Sequence, residues 1–462
     1  MQDAFDGGAS RLHDLTVSEL SELGDADPTF SLTGDEWRRV RTAADAARAA
    51  LAGEDTVYGV HTHYGHNVRS AAEAADYAAH QRRLLDYLHV GVGPLLDPAM
   101  VRRALRLQCL KVAEGRSGVD PAVVEAVAEL SNGPCDHPVP SLGSLGASGD
   151  LIPMAHAVAP AVRKTGIRGP RDVIGLVNTN AMMSSVAVEQ LMRVRRLLDA
   201  AHEITAHITV ALLAPLEHFS ADLFGRSSPG RASARESGAD ILARRRAILS
   251  AHEAPEPGAS AGVQERYSVR CAPVILANAR DLLDFAEQKT RAEALSVADN
   301  PVLSEVDGEV RFLHGGLFYA ASLATAADVL CDVVQTTADL TDRQVLLLMD
   351  HEWSHGLPDN LAISADDHLK GIHQLISALV QRVKTHRSRS HELAFSSEQH
   401  NQDVLPAAMT AHLQLASALD VADEVVRAAS FAAQRAVLLR LERNVPAELR
   451  LEQWPQFSTD TG

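Results

Sequence analysis

The chain of 462 residues carries 60 acidic against 43 basic side chains, and its net charge of −17 repels a phosphate backbone, which excludes nucleic acid as a partner unless the fold conceals a basic patch. Hydrophobic residues make up 46% and aromatic residues 4%, with 29 Gly and 20 Pro; this excludes a wholly disordered or fibrous chain and leaves a core of Ala, Leu and Val suited to closely packed helices. Four widely spaced cysteines, Cys109, Cys135, Cys271 and Cys331, form no CxxC pair, so reduced thiols and a cytoplasmic address are expected. The N-terminal MQDAFDGGASRLHDL lacks a leader's basic start and apolar stretch, and no uncharged run reaches membrane-spanning length, so no membrane partner is expected.

Acidic and small residues dominate to about Asp35 and read as a loose arm; GDEWRRVRTAADAARAALAGE then predicts a helix closed by Gly53. The Gly-, His- and Tyr-rich segment Tyr58 to Gly65 reads as a loop, followed by helical text from Ala71 to Leu88. Asp97 and Pro98 supply an N-cap and a first-turn residue for a helix along which Met100, Ala104, Leu107 and Leu110 recur, ending near Gly115. Ser131 to Gly149 is too rich in Gly, Pro and Ser for regular structure, and it leads through Asp150 into an apolar helix. Helical text runs from Thr179 to about Glu217, and a polar excursion from Ser227 to Gly262 holds a short helix across Asp240 to Leu249.

Only Val302 to Val306 and Glu309 to Leu313 read as strands, joined by Asp307-Gly308, the pair a type I′ hairpin turn prefers. Leu369, Ile372, Ile376, Leu379 and Val383 step at helical spacing, and Ala407 to Glu442 has neither Pro nor Gly inside it; both read as helices of a central bundle. The expected division is an N-terminal region over 1–200, a helical bundle over 201–445 and a tail over 446–462.

The segment that stands out is Pro140 to Leu151, PSLGSLGASGDL, where glycines bracket small residues just before a helix. Composition alone fits a flexible linker. The GxxxxGK[ST] spacing of a phosphate loop is absent, as is the GxSxG spacing of a serine hydrolase. A further reading is chemical: in a compressed turn the Gly149 nitrogen can attack the Ala147 carbonyl, and loss of two waters leaves an exocyclic methylidene from Ser148. Only glycine keeps that nitrogen unhindered.

GSLGASGDLIP, Gly143 to Pro153, resembles the signature of the histidine and aromatic amino acid ammonia-lyase and aminomutase superfamily, whose electrophile is the 4-methylidene-imidazol-5-one (MIO) formed from Ala-Ser-Gly. Tyr58-Gly59-Val60 is similar to the start of its YGVNTGFG loop, Leu176-Val177-Asn178 to its LVNG segment and Gln264 to Arg270 (QERYSVR) to QDxYSLR. SVADNPVL (Ser296 to Leu303), Gly315-Gly316-Leu317-Phe318 and EQHNQDV (Glu398 to Val404) follow in the family's order. The resemblance implies an all-α fold of the ammonia-lyase (L-aspartase/fumarase-like) type, with a central bundle of long antiparallel helices and a smaller N-terminal region bearing the MIO loop. It implies a homotetramer with shared sites, an amino acid substrate, and MIO from Ala147-Ser148-Gly149 with no external cofactor and no metal.

The roles implied by the resemblance are these. The substrate amine adds to the methylidene carbon, so nitrogen leaves more readily. Tyr58 removes the β-proton and needs activation, since a phenol is a weak base at its usual pKa of about 10. Arg270 presents a planar fork to the substrate carboxylate, with Asn300 as a second donor. Asn178 and Tyr267 contact the MIO oxygen or the amine, and Gln264 joins the same network. Outside the motifs these residues have plainer readings: Asn178 and Asn300 as helix caps, Phe318 as core.

Several positions depart from the family pattern. His61 and His63 stand where the lid loop usually has Asn or Thr and Gly, and line the substrate entrance or pack in the lid; no third ligand is spaced with them for a metal. Thr179 and Asn180 replace Gly-Thr, Leu317 replaces Asn and Val274 replaces Gln. Tyr87 and Leu88 occupy the pair that sorts substrates; Leu88, together with Gln402 where histidine enzymes place Glu, argues for an aromatic or largely apolar side chain rather than imidazole. The implied activity is an ammonia-lyase giving an aryl acrylate, with a 2,3-aminomutase making a β-amino acid, or a non-catalytic relative, as alternatives.

Overall fold

The computed structural model describes residues 10–72, 76–225, 231–258, 263–386, 389–393 and 395–454. Among them the longer helices are α1 (Gly34–Leu51), α2 (Tyr77–Leu88), α3 (Pro98–Val112), α4 (Pro121–Ser131), α5 (Leu151–Thr165), α6 (Ala181–Ala211), α7 (Ala232–Ala251), α8 (Ala272–Leu295), α9 (Ala321–Leu348), α10 (Lys370–Lys384) and α11 (Ala408–Arg440). The fold is all-α, as the low-aromatic composition requires, with two small antiparallel ribbons: β1 (Val92–Leu95) with β2 (Pro140–Leu142), and β3 (Val302–Val306) with β4 (Glu309–Leu313).

The chain forms two compact units. One contains residues 1–190, 286–328 and 388–413, the other 191–285, 329–387 and 414–462, so the long helices α6, α8, α9 and α11 contribute residues to both.

In the first unit α3 is the central element, with every residue from Val101 to Val112 buried. Its N-terminus is set by the Asp97 side chain, which accepts from the Ala99 N–H at 2.8 Å, with Pro98 inside the first turn. Three buried arginines on α3 spend their donors on backbone carbonyls. Arg102 Nη1 donates to Gly24 O at 2.9 Å, Arg103 Nη1 to Ser185 O at 3.0 Å and Arg106 Nη1 to Asp25 O at 2.8 Å. The lead-in segment is therefore not a loose arm over its described residues: carbonyls at 24 and 25 satisfy cations that burial would otherwise leave unpaired.

The β3–β4 hairpin has the expected register, Val302 opposite Leu313 through Val306 opposite Glu309, with positive φ at Asp307 (55°) and Gly308 (83°) as a type I′ turn demands. The β1–β2 ribbon was not expected from sequence. It is three to four residues long, irregular in register and turned by Gly93 at φ 88°, so it carries no alternating pattern. Ala71 and Ala72 are not helical either: Ala71 bridges Thr62, the Ala72 N–H donates to His61 O at 3.0 Å, and α2 starts only after its cap Asp76. Residues 73–75 of the expected helix lie outside the described residues.

In the second unit α7 extends over twenty residues, twice the helix expected across Asp240 to Leu249, because polar and charged residues fill its exposed face and only Ile241, Arg245, Ile248, Leu249 and small residues point inward. The α10 stripe is buried as Ile372, Ile376, Val380 and Val383, Val380 taking the place expected for Leu379. The fully buried Arg435 is held by Asp367 at 2.6 Å. All four cysteines are free, and no helix among the described residues is long and apolar enough to cross a membrane.

Candidate active site

The unusual segment of the sequence forms one wall of a cavity of about 730 Å³ in the first unit. Ala147 and Ser148 face it at the entry to α5. Gly149 adopts φ +75°, and a Cβ at that position would lie 2.4 Å from Thr179 O and 2.7 Å from Thr179 N. No side chain fits there, so the glycine is required by contact as well as by conformation. The Asp150 N–H donates to Thr179 O at 2.6 Å and holds the tripeptide's far end against the 178–180 turn.

Two amides hold Ser148. Asn178 Nδ2 donates to Ser148 O at 3.3 Å, and Gln402 Nε2 donates to Ser148 Oγ at 2.7 Å. Among the described residues, Asn178 Oδ1 and Gln402 Oε1 are buried with no hydrogen-bond partner. A ring made from Ala147, Ser148 and Gly149 fits this setting: the tripeptide is small, tightly turned, pressed on one side by backbone and held on the other by neutral donors. Asp150 does not cap its helix. Fully buried, its carboxylate accepts from the Met183 N–H at 2.7 Å, and burial pushes its pKa up to about 7 against the pull of the Met183 and Met182 amides.

The opposite wall is the lid loop. Tyr58 is half-buried, and its phenol oxygen accepts from the Gly65 N–H at 2.9 Å. Burial raises its pKa above the ordinary phenol value; the Gly65 amide works against that rise and the Glu398 carboxylate adds to it. Among the described residues lining the cavity there is no Lys or Arg, whereas Glu398 and Asp403 both line it. The described lining of this cavity thus supplies no cation to activate the phenol.

Tyr87, Leu88, Asn300, Phe318 and Gln402 also line the cavity, together with Tyr58, Asn178 and the tripeptide. Asn300 Oδ1 accepts from the Gly315 N–H at 2.9 Å, so it braces the glycine pair and caps no helix. His61 and His63 do not line the cavity and pack in the lid instead. His61 Nδ1 accepts from the Val57 N–H at 3.1 Å, and His63 meets His80 edge-on at 5.3 Å between ring centroids. Gln264, Tyr267 and Arg270 belong to the second unit and do not line this cavity; Tyr267 is 71% exposed, with the Arg270 guanidinium 4.8 Å from its ring centre.

Four further lining residues were not singled out in the sequence: Tyr64, Leu145, Tyr319 and Glu398. Adjacency was the available signal for three of them, since Leu145 precedes the tripeptide, Tyr319 follows Phe318 and Glu398 opens the 398–404 segment. Tyr64 is placed by a residue without any signal. Gln81, fully buried, donates to Tyr64 OH at 2.7 Å and accepts from the Val173 and Ile174 N–H groups at 2.9 and 3.0 Å. Four of the chain's six tyrosines, Tyr58, Tyr64, Tyr87 and Tyr319, line this one cavity. In a chain so poor in aromatics, that concentration suits a flat ring as guest.

Residues 15–454 match the aromatic amino acid lyase family. A tyrosine ammonia-lyase of Cereibacter sphaeroides is 29% identical, the match covering 91% of this chain and 89% of that protein. A histidine ammonia-lyase of Rhodospirillum rubrum is 31% identical over 74% of this chain and 70% of its own. Among solved structures a tyrosine aminomutase from Streptomyces globisporus superposes with a TM-score of 0.81 at 22% identity, covering 92% of this chain and 87% of that one, which establishes the shared fold. Matched over nearly its whole length, the chain belongs to the aromatic amino acid lyase family and is a carbon–nitrogen lyase.

Proposed function

We propose that the protein eliminates ammonia from an aromatic L-α-amino acid, with MIO formed from Ala147, Ser148 and Gly149 as its electrophile. The observation that carries this reading is the convergence of Tyr58, Asn178, Asn300 and Gln402 on one cavity around that tripeptide. Once formed, MIO supplies an electrophilic carbon that makes the substrate's nitrogen a better leaving group. The chain's own residues do the rest. Tyr58 takes the β-proton, and its raised pKa makes the phenolate, once formed, a stronger base while making it scarcer. Asn178 and Gln402 fix Ser148, Phe318 and the tyrosines stack on the ring of the substrate, and Leu88 keeps the far end apolar.

A carboxylate guest needs a cation, and the lining offers none. Arg270 of another copy fills that need, with Tyr267 and Gln264 alongside, in the homotetramer with shared sites that the family resemblance implies. The direct test has two readouts. A mass deficit of two waters in the peptide spanning Ser141 to Leu151 reports the ring, and chromatography of products from a panel of aromatic amino acids reports the reaction. An aryl acrylate with ammonia is the expected product, and an unmodified peptide from folded protein would remove the chemistry.

One feature favours the aminomutase alternative: the lid loop is closed on itself once and tied to its surroundings at two points. Tyr58 binds Gly65, Gln81 binds Tyr64, and Glu398 Oε1 accepts from the His66 N–H at 3.1 Å. A lid held shut keeps ammonia and acrylate together long enough for readdition at the β-carbon. A β-amino acid forming ahead of free acrylate would decide for that reading.

A further inference from the structure

Behind the tripeptide lies a buried cation that the proposed reaction does not use. Lys111, on α3, is 3% exposed, and its ammonium makes three contacts: to Ser296 O at 2.6 Å, to Asn180 Oδ1 at 2.7 Å and to Glu293 O at 3.3 Å. None is an ion pair, so the ammonium's direct contacts are all to neutral oxygens. Burial drives its pKa down to about 7, with Glu293, Asp150 and Glu114 pulling the other way. Packing does not require a cation there, since a methionine has similar length and no desolvation cost. What Lys111 does instead is fix Asn180.

An ammonium has only donors, so the Asn180 amide must turn its oxygen to Lys111 and its nitrogen away. That nitrogen meets Glu293 Oε1 at 2.6 Å, and the fully buried amide is locked at both ends. Asn180 is the last residue of the turn that shapes the tripeptide. Its neighbour Thr179 provides the backbone surface 2.4 Å from where a Gly149 Cβ would be, and accepts from the Asp150 N–H. Asn178, at the start of the turn, holds Ser148 O. The path from the ammonium to the reacting atoms thus has two links, Asn180 and then Thr179.

We infer that Lys111 is a positioning residue for ring formation: by pinning Asn180 it fixes the 178–180 turn as the surface against which Ala147-Ser148-Gly149 is compressed until it cyclises. This rests on the reading that the tripeptide forms MIO. In that step the Gly149 nitrogen bonds to the Ala147 carbonyl carbon, and the carbonyl oxygen leaves as water with the Gly149 and Ser148 N–H protons as a C=N bond forms from that carbon to the Ser148 nitrogen. Ser148 then loses its Cα hydrogen and its hydroxyl as the second water. No outside reagent is needed, so compression and orientation are what the protein must contribute.

The test is the rate at which the two waters are lost, followed by intact and peptide mass in protein sampled through expression and subsequent incubation. K111M and N180L are compared with wild type and with K111R, which keeps a cation at the position. K111M is expected to fold, judged by its helical circular dichroism and a cooperative melt, yet to dehydrate at least tenfold more slowly, with K111R in between and N180L matching K111M. A merely structural lysine would move the melt and leave the dehydration rate unchanged. Complete dehydration of folded K111M at the wild-type rate overturns the inference; should K111M not fold, the same result in N180L does so. An undehydrated wild-type protein is a different outcome, because it removes the MIO reading itself.

Discussion

The two sides of the tripeptide are built on opposite plans. Behind it, Lys111, Asn180, Asp150 and Thr179 are all buried, charged or polar, and tied to one another or to backbone by contacts of 2.6 to 2.7 Å. In front, Tyr58, Tyr87, Phe318 and Glu398 are half-buried or exposed, on loops or at a helix end, and meet at an open cavity. The back has nothing to bind and the front nothing to compress. If the tripeptide forms the ring as proposed, the contrast assigns ring formation and substrate turnover to separate residues, so a substitution on one side should spare the other.

The largest effect is expected where the sides meet. A G149A variant must place a Cβ 2.4 Å from Thr179 O at φ +75°, so neither the dehydrated mass nor any deamination should be found. Dehydration at the wild-type rate in that variant would mean that the turn is not the surface described above. Next comes the front alone: Y58F should dehydrate normally and lose about 10²- to 10⁴-fold in kcat, the usual contribution of a general base. Loss of the two-water deficit in Y58F would break the separation of the two sides.

The front was far more legible in the sequence than the back. Motifs around Tyr58, Asn178, Asn300 and Gln402 are contiguous strings, and the cavity brings those residues together. Lys111 sits in RLQCLKVAEG with nothing to mark it, since its role comes from Glu293 and Ser296, which are far away along the chain. The same holds for the fold. Helices with a strong stripe or cap, such as α3 and α10, were visible, whereas the β1–β2 ribbon was hidden by the glycines that shape it. For His61 and His63 the sequence left open the substrate entrance or packing in the lid; they do not line the cavity, and their contacts are with Val57 and His80.

Between the sides stand the two amides that hold Ser148. Each of N178A and Q402A removes one hydrogen bond to the half-buried Ser148, a cost of about 0.5–1.5 kcal/mol, or roughly a twofold to tenfold loss. N178A should slow dehydration, because its bond is to the backbone of the compressed turn. Gln402 bonds the hydroxyl that departs as water in the proposed reaction, so Q402A should slow dehydration less and turnover more. Equal effects on both steps in both variants would show that the tripeptide is held as one unit.

The smallest effect is on stability, and it reports on the back alone. Asp150 titrates near 7 in the fold against 3.8 ordinarily, so between those values the folded state holds the extra proton and stability falls as pH rises. Lys111 titrates near 7 against 10.5, so between those values the unfolded state holds the extra proton and stability rises with pH. Their summed contribution has a minimum around neutral pH, where the native carboxyl and ammonium are both half-titrated. Subtracting the melting profile of a D150N/K111M double variant from that of wild type should expose this trough, because every other titrating group is common to both. A flat difference from pH 4 to 10 would mean that the two groups keep their ordinary ionisation, and that the buried polar cluster costs the fold nothing.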